Sequence, residues 1–308
     1  MILCNGEALI DMLPRETAAG EATFAPHAGG AVFNTAIALG RLGAPVGFFS
    51  GVSTDLFGRQ LEEVLTASKV DCTLLARSDR PTTLAFVTLQ NGQASYAFYD
   101  EGTAGRMLGV VDLPALPAHV TALFFGGISL VSEPCGGAYE ALMLREARTR
   151  VTMIDPNIRP GFIKDEAAYR ARIGRMIAAA DIVKLSDEDL RWLYRESGIE
   201  AGAQEVLAGG AKLVLVTEGA QGAHGVTRGG SVFVPARKVE VADTVGAGDT
   251  FNAGVLAALH AAGLLTKAAL SQLTEAEVRA ALDLGVRAAA VTVSRPGANP
   301  PWAAELGQ

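Results

Sequence analysis

The chain has 308 residues, 49% of them hydrophobic, and a formal net charge of -7. That composition excludes a disordered chain, and the charge argues against a nucleic-acid or anionic-membrane surface while leaving room for a local basic pocket for phosphate. The length suits one large α/β domain or two smaller ones. Cys4, Cys72 and Cys135 are scattered and odd in number, and neither they nor the four His residues show zinc-site spacing, which fits a reducing cytoplasm. No apolar stretch free of polar residues reaches membrane-spanning length. The start MILCNGEALIDML lacks a basic region and contains Glu7 and Asp11, so it reads as a first strand rather than a signal peptide.

Residues 1–13 carry the apolar run of a buried strand, interrupted by Glu7 and Asp11. A lone buried carboxylate is costly, so Asp11 either faces solvent or binds hydroxyl groups. Residues 14–26 are polar and read as a loop or a short hairpin edge, ending at His27-Ala28-Gly29-Gly30. From Ala31 the run VFNTAIALGRLG has helical spacing, with Val32, Ala36, Leu39 and Leu42 on one face and Gly43 as its stop. Gly29 and Gly30 either make a tight turn or let a ligand approach the backbone, and Asn34 presents an amide about one turn into the helix. A strand over 46–52 and a helix over 55–68 complete a first β–α–β alternation.

Residues 82–98 break that rhythm. Leu84, Phe86, Thr88, Tyr96 and Phe98 alternate around Gln90-Asn91-Gly92-Gln93, a strong hairpin signal. Strands are then predicted near 122–126, 151–155, 182–185 and 213–217, and helices near 137–149, 166–179, 188–198 and 201–208. Such alternation indicates an α/β fold with a mostly parallel sheet covered on both faces. Ligands gather at the carboxyl ends of the strands in these folds, where Gly126-Gly127, DPNIRP (155–160), SDED (186–189) and TEGAQG (217–222) fall. A strand or hairpin over 232–242, a helix over 275–288 and a strand over 290–293 complete the pattern, leaving 295–301 as a Pro- and Gly-rich loop. No repeat or linker divides the chain. The expectation is a single domain over 1–308 with a discontinuous β lid from roughly 10–28 and 80–105.

The stretch DTVGAGDTF, residues 243–251, leads directly into the apolar run FNAGVLAALHAAGL. Gly246, Ala247 and Gly248 would turn the chain into a helix whose first N–H groups point forward unpaired, an end that attracts anions. Asp249 lies in the same turn. A proton acceptor thus stands beside donors able to hold developing negative charge, which suits transfer of a phosphoryl group to an alcohol. The Walker pattern is absent, and Phe251 occupies the third glycine position of a dinucleotide fingerprint, so neither a P-loop nor a nicotinamide site is expected.

DTVGAGDTF resembles the C-terminal signature of the PfkB, or ribokinase-type, carbohydrate kinases, and GGAVFNTAIALGRLG resembles their N-terminal glycine-rich signature. The resemblance covers essentially the whole chain. GEALIDM, SYAFYDEGTAGRML, DPNIRP and DIVKLSDEDL look most like the bacterial fructokinases of that family. The resemblance implies a ribokinase-like fold and ATP-dependent phosphorylation of a sugar hydroxyl, D-fructose to D-fructose 6-phosphate in the first place. Its alternatives are 2-keto-3-deoxygluconate or ribose as acceptor, and a non-catalytic sugar-binding protein of the same fold. An acidic acceptor needs fixed positive charge, and Asp100 has the wrong sign for it if it points inward, which favours a neutral sugar.

Residue by residue, the resemblance makes Asp249 the base and the N–H groups of Gly246, Ala247 and Gly248 the anion hole. Asp11, Gly30 and Asn34 would bind the sugar, and Arg159 would contact sugar or phosphate. The nucleotide would lie on Thr217, Gly219 and Gly222, with Lys184 and Ser186 near its phosphates. Mg2+ travels with ATP, and the family's N-x-x-E motif aligns with 186–189, where either Asp189 or Glu188 keeps the carboxylate that acts on the metal through water. A monovalent cation such as K+ would sit against Asp243 and the backbones of Val245, Thr292, Arg295 and Gly297. The implied partners are the sugar and ATP, with no nucleic acid and no membrane, and an exposed lid edge would allow a homodimer.

Overall fold

Runs such as ILCN, ALFFG, VTMID and LVLVT carry apolar side chains at nearly every position, which suits strands buried on both faces. In the computed structural model, which describes residues 1–90, 93–194 and 198–307, these runs lie side by side in one sheet. The strands are β1 (Ile2–Asn5), β2 (Leu9–Glu16), β3 (Ala22–Gly29), β4 (Val46–Phe49), β5 (Gly51–Ser53), β6 (Ala76–Ser78) and β7 (Leu84–Gln90). They continue with β8 (Gln93–Tyr99), β9 (Ala122–Gly126), β10 (Val151–Asp155), β11 (Ile182–Ser186), β12 (Leu213–Thr217), β13 (Gly222–Thr227) and β14 (Gly230–Pro235). The helices are α1 (Ala31–Arg41), α2 (Leu56–Ala67), α3 (Cys135–Glu146), α4 (Glu166–Ala179) and α5 (Asp187–Tyr194), then α6 (Ile199–Ala208), α7 (Ala247–Ala261), α8 (Lys267–Leu270) and α9 (Glu275–Val293).

The large sheet has the order β14-β13-β12-β11-β10-β9-β1-β4. Neighbours from β4 to β12 are parallel, and β13 and β14 add an antiparallel hairpin at one end. Successive strand residues point to opposite faces. Ile2, Cys4, Phe124, Met153 and Leu213 accordingly join one core with α1, α7 and α9, while Leu3, Phe125, Ile154, Val183 and Val214 join another with α3, α4 and α6. A second sheet, β3-β2-β7-β8, is mostly antiparallel, and β5 pairs with β6 separately. No helix among the described residues is long and apolar enough to cross a membrane.

Several elements differ from the sequence expectation. Residues 1–13 are two strands in two sheets, because the chain breaks at Gly6-Glu7-Ala8, where the buried Glu7 carboxylate accepts from the N–H groups of Ala31 (2.8 Å) and Ser129 (3.3 Å). Residues 46–52 likewise split between β4 and β5, and 14–26 are an extended hairpin rather than a loop. The strand expected at 232–242 ends at Pro235, and its partner β13 lies earlier in the chain. The strand expected at 290–293 is absent, since α9 runs on to Val293. Val-Thr-Val favours a strand in isolation, but α9 packs along α7 so closely that a Cβ on Gly254 would stand 2.6 Å from the Gly285 Cα. Thr292 also donates to the hydroxyl of Thr250 at 2.9 Å, fastening this last turn to α7. The turn expected at Asn91-Gly92 lies outside the described residues; its flanking strands pair from Gln90 with Gln93 back to Leu84 with Tyr99.

Candidate active site

Two helix starts meet near the carboxyl ends of β1, β10 and β11. Gly246 precedes α7 with φ +78, and a Cβ there would stand 2.7 Å from the Ala298 Cβ, so the turn requires glycine. The first N–H groups of a helix lack intrahelical acceptors, and that of Ala247 makes only a long 3.4 Å contact to the Thr244 carbonyl. Asp249, in this first turn, is buried and accepts a hydrogen bond from Asn34 Nδ2 at 2.9 Å. Thr35 donates to the Asp249 carbonyl at 3.3 Å, which fastens α1 to α7 here. Burial raises the Asp249 pKa and the Asn34 bond opposes it. Asp155 and Glu7 push it further up, Lys184 pulls it down, and the result is about 7. A carboxyl so poised suits a general base at neutral pH.

Lys184, on β11, is buried with its Nζ 3.0 Å from Asp155 Oδ2 and 3.3 Å from where a Cβ on Gly248 would lie. Burial opposes its charge, but the carboxylates of Asp155, Asp189 and Asp249 outweigh burial, and its pKa is raised. Asn252, three residues beyond Asp249 and so on the same face of α7, donates to the same Asp155 oxygen at 2.7 Å. Asp189 is buried and Glu188 is exposed, so Asp189 is the carboxylate turned inward. Its Oδ1 accepts from the Ile158 N–H at 3.0 Å and its Oδ2 from the Ser186 N–H at 3.1 Å, while Ser186 Oγ accepts from the Asp189 N–H at 3.0 Å. This reciprocal cap starts α5 and ties the DPNIRP loop to it.

A cleft of about 840 Å³ opens between the four-stranded sheet and the α3–α4 side of the large sheet. Its walls include Glu7, Phe98, Asp100, Arg106, Ser129 and Tyr169; Asp249 is not among them. Glu7 joins the two regions, because it lines the cleft and also accepts from the N–H that starts α1. Asp11, Ala85 and Phe98 are directly opposite one another on β2, β7 and β8 and therefore share a face. Phe98 lines the cleft, but so do Leu84 and Tyr99 from the opposite face, and Asp11 is not among its walls. The Asp11 carboxyl is half-buried, no described residue hydrogen-bonds to it, and burial raises its pKa to about 6. Asp100 also lines the cleft, paired with Arg106 at 2.9 Å.

The profile of the pfkB family carbohydrate kinase matches residues 1–305. The chain belongs to the pfkB family of carbohydrate kinases. It is 58% identical over 279 residues to a fructokinase of Rhizobium leguminosarum bv. trifolii, covering 91% of this chain and 86% of that one. The crystal structure of a fructokinase from Xylella fastidiosa with bound ATP superposes with a TM-score of 0.84 at 28% identity, covering 99% of this chain and 97% of the other. A fructokinase double mutant from Vibrio cholerae O395, in a form bound to fructose, ADP and potassium ion, gives a TM-score of 0.83 at 27% identity, with 96% and 93% covered.

The remaining residues singled out from the pfkB resemblance are placed as follows. Gly30, with φ +115, caps α1 beside Glu7. Arg159 is exposed and donates to the Ile158 carbonyl at 3.0 Å rather than to the Asp249 cluster. Thr217, Gly219 and Gly222 belong to the tight turn joining β12 to β13, where the Glu218 N–H donates to the Gly222 carbonyl at 2.9 Å. Asp243 accepts from the Val245 N–H at 3.0 Å and the Gly297 N–H at 2.9 Å, and the Arg295 N–H donates to the Thr292 carbonyl at 3.1 Å. These five residues are thereby gathered from two distant stretches behind the Gly246 turn. Among the described residues no group of three or more His, Cys, Asp or Glu forms a metal cluster. Sequence reasoning assigned no individual role to Glu7, Asp155 or Asn252; Asp155 had the signal of its DPNIRP loop at a strand's carboxyl end, and Asn252 its helical spacing from Asp249.

Proposed function

We propose that this pfkB kinase transfers the γ-phosphoryl group of ATP to D-fructose, yielding D-fructose 6-phosphate and ADP. The observation that carries the reading is the buried Asp249, poised near neutrality beside the amide turn of α7 and held by Asn34. The fructose hydroxyl hydrogen-bonds to Asp249, which takes its proton as the oxygen attacks phosphorus. The N–H groups of Gly246, Ala247 and Gly248, with Lys184, hold the charge on the phosphoryl oxygens. Phosphoryl transfer has a loose transition state, so positioning and charge neutralisation outweigh base strength.

Asp11, Gly30 and Asn34 bind the sugar in this reading, and the β3-β2-β7-β8 sheet is the discontinuous lid of a single kinase domain. The names of the relatives support fructose. Asp100 pairs with Arg106 in the cleft wall, so that guanidinium is already engaged and is not free for an acidic acceptor. ATP lies along the β12–β13 turn at Thr217, Gly219 and Gly222. Mg2+ bound with ATP would supply charge neutralisation at the phosphates, and the inward-turned Asp189, oriented by the Ile158 and Ser186 N–H groups, is the carboxylate that would act on it through water. The oxygen-only donors of Asp243, Val245, Thr292, Arg295 and Gly297 suit a hard cation such as K+. The three free cysteines favour the cytoplasm, and the outer strands of the lid sheet favour a homodimer.

The test is coupled ADP release with Mg-ATP over fructose, ribose, 2-keto-3-deoxygluconate and nucleosides. Turnover greatest on fructose is expected. No turnover on any acceptor would refute a kinase, and preference for the sugar acid would replace fructose.

A further inference from the structure

Asp155 and Lys184 form an ion pair almost wholly removed from water, with relative exposures of 1% and 4%. Taking two charges out of water is costly, and an apolar pair of similar volume is often as stable or more so. Stability alone is therefore a poor reason for the pair. Its position supplies another. Ile182 and Lys184 are two apart on β11 and point to the same face, the one that α7 covers. That brings the Lys184 ammonium against Gly248, the second residue of α7.

Asp155 is itself fixed from two sides. Asn252 Nδ2 donates to Oδ2 at 2.7 Å, the oxygen that also accepts from Lys184, and the Asn157 N–H donates to Oδ1 at 3.2 Å. Asn252 makes this bond while its own Oδ1 is buried without a hydrogen-bond partner. The first two turns of α7 thus carry the base, the amide turn and the clamp on Asp155. We propose that Asp155 is a positioning residue for phosphoryl transfer: clamped by Asn252, it holds the Lys184 ammonium against the Gly248 turn, where it meets the transferred phosphoryl group. The inference rests on the kinase reading above and adds the device that fixes the charge.

The experiment is ADP release by wild type, Lys184→Met, Asp155→Asn and the double variant, with melting temperatures measured alongside. Removing one preorganised donor from a developing charge costs about 100-fold or more in kcat, and Lys184→Met is expected to lose on that order. If Asp155 acts through Lys184, adding Asp155→Asn to Lys184→Met costs no further rate, whereas multiplied losses overturn the proposal. In Lys184→Met the Asp155 carboxylate keeps its bonds from Asn252 and the Asn157 N–H, and the double variant leaves neither charge unpaired, so their comparison stands even if Asp155→Asn alone does not fold.

A second readout separates positioning from mere structure. Asp155 raises and Lys184 lowers the Asp249 pKa, while Glu7 raises it and Asn34 lowers it. The acid limb of kcat/KM should move up in pH in Lys184→Met, and adding Asp155→Asn to it should bring the limb back down without lowering the plateau rate. A limb that stays put in Lys184→Met, or a plateau lowered further in the double variant, overturns the proposal. Wild-type enzyme that releases no ADP refutes the kinase reading instead, and wild-type turnover with unchanged kcat in Lys184→Met refutes this inference alone.

Discussion

Replacing Asp249 with asparagine is expected to stabilise the protein while removing its turnover. The replacement keeps the shape of the side chain and an oxygen to accept the 2.9 Å bond from Asn34. Burial, with the nearby carboxylates, lifts the Asp249 pKa from 3.8 to about 7. A gap of about 3 units corresponds to about 4 kcal/mol. The folded state holds the proton more tightly than the unfolded chain, so this stabilisation is complete below pH 3.8 and lost as pH rises through about 7. Above that, the ionised carboxylate destabilises the fold by up to about 4 kcal/mol relative to a neutral amide. Urea unfolding should show Asp249→Asn more stable than wild type at pH 8, with the gap narrowing as pH falls toward 4. ADP release should drop by about 100- to 10,000-fold, the range for a general base. A variant less stable than wild type at pH 8, or one with near-normal kcat, would refute this account of the site.

Asn34→Leu removes a hydrogen bond to the ionised form of Asp249, worth about 1.5–3 kcal/mol, or about 1–2 pK units. The acid limb of the pH–rate profile should move upward from about 7, and a limb that is static or lower contradicts the bond's role. Gly246→Ala places a Cβ 2.7 Å from Ala298 at φ +78; a loss of about 1–3 kcal/mol is expected, together with a lower kcat, and unchanged melting and turnover would disprove the need for glycine. Asp11→Ala should raise KM for fructose more than KM for ATP, and the reverse order would remove Asp11 from the sugar site. Hydrogen exchange in β2 and β3 should slow on adding fructose if that sheet closes over the sugar; unchanged exchange counts against a lid.

Local pattern was enough for part of this protein. Continuous apolar runs marked β1, β9, β10, β11 and β12, because strands covered on both faces need no polar positions. The glycine-rich turn at 246–248 with Asp249 beside it marked an anion-holding helix start, since backbone conformation and helix polarity are properties of a few consecutive residues. Val291-Thr292-Val293 misled for the same reason: its local preference is for a strand, and only packing against α7 keeps it helical. Glu7 reads as an interruption in a strand, and its role emerges only with the N–H groups of Ala31 and Ser129 that the fold brings to its carboxylate.

The amino-acid sequence by itself determined the alternating α/β pattern, the family and the chemical type of the α7 turn. Tertiary structure alone decided what surrounds that turn. Asn34 meets Asp249 across 215 residues of chain, and Asp155 meets Asn252 across 97. Burial and the charges gathered by such contacts set the pKa of the base, and neither quantity exists until the sheet and its helices have closed around it.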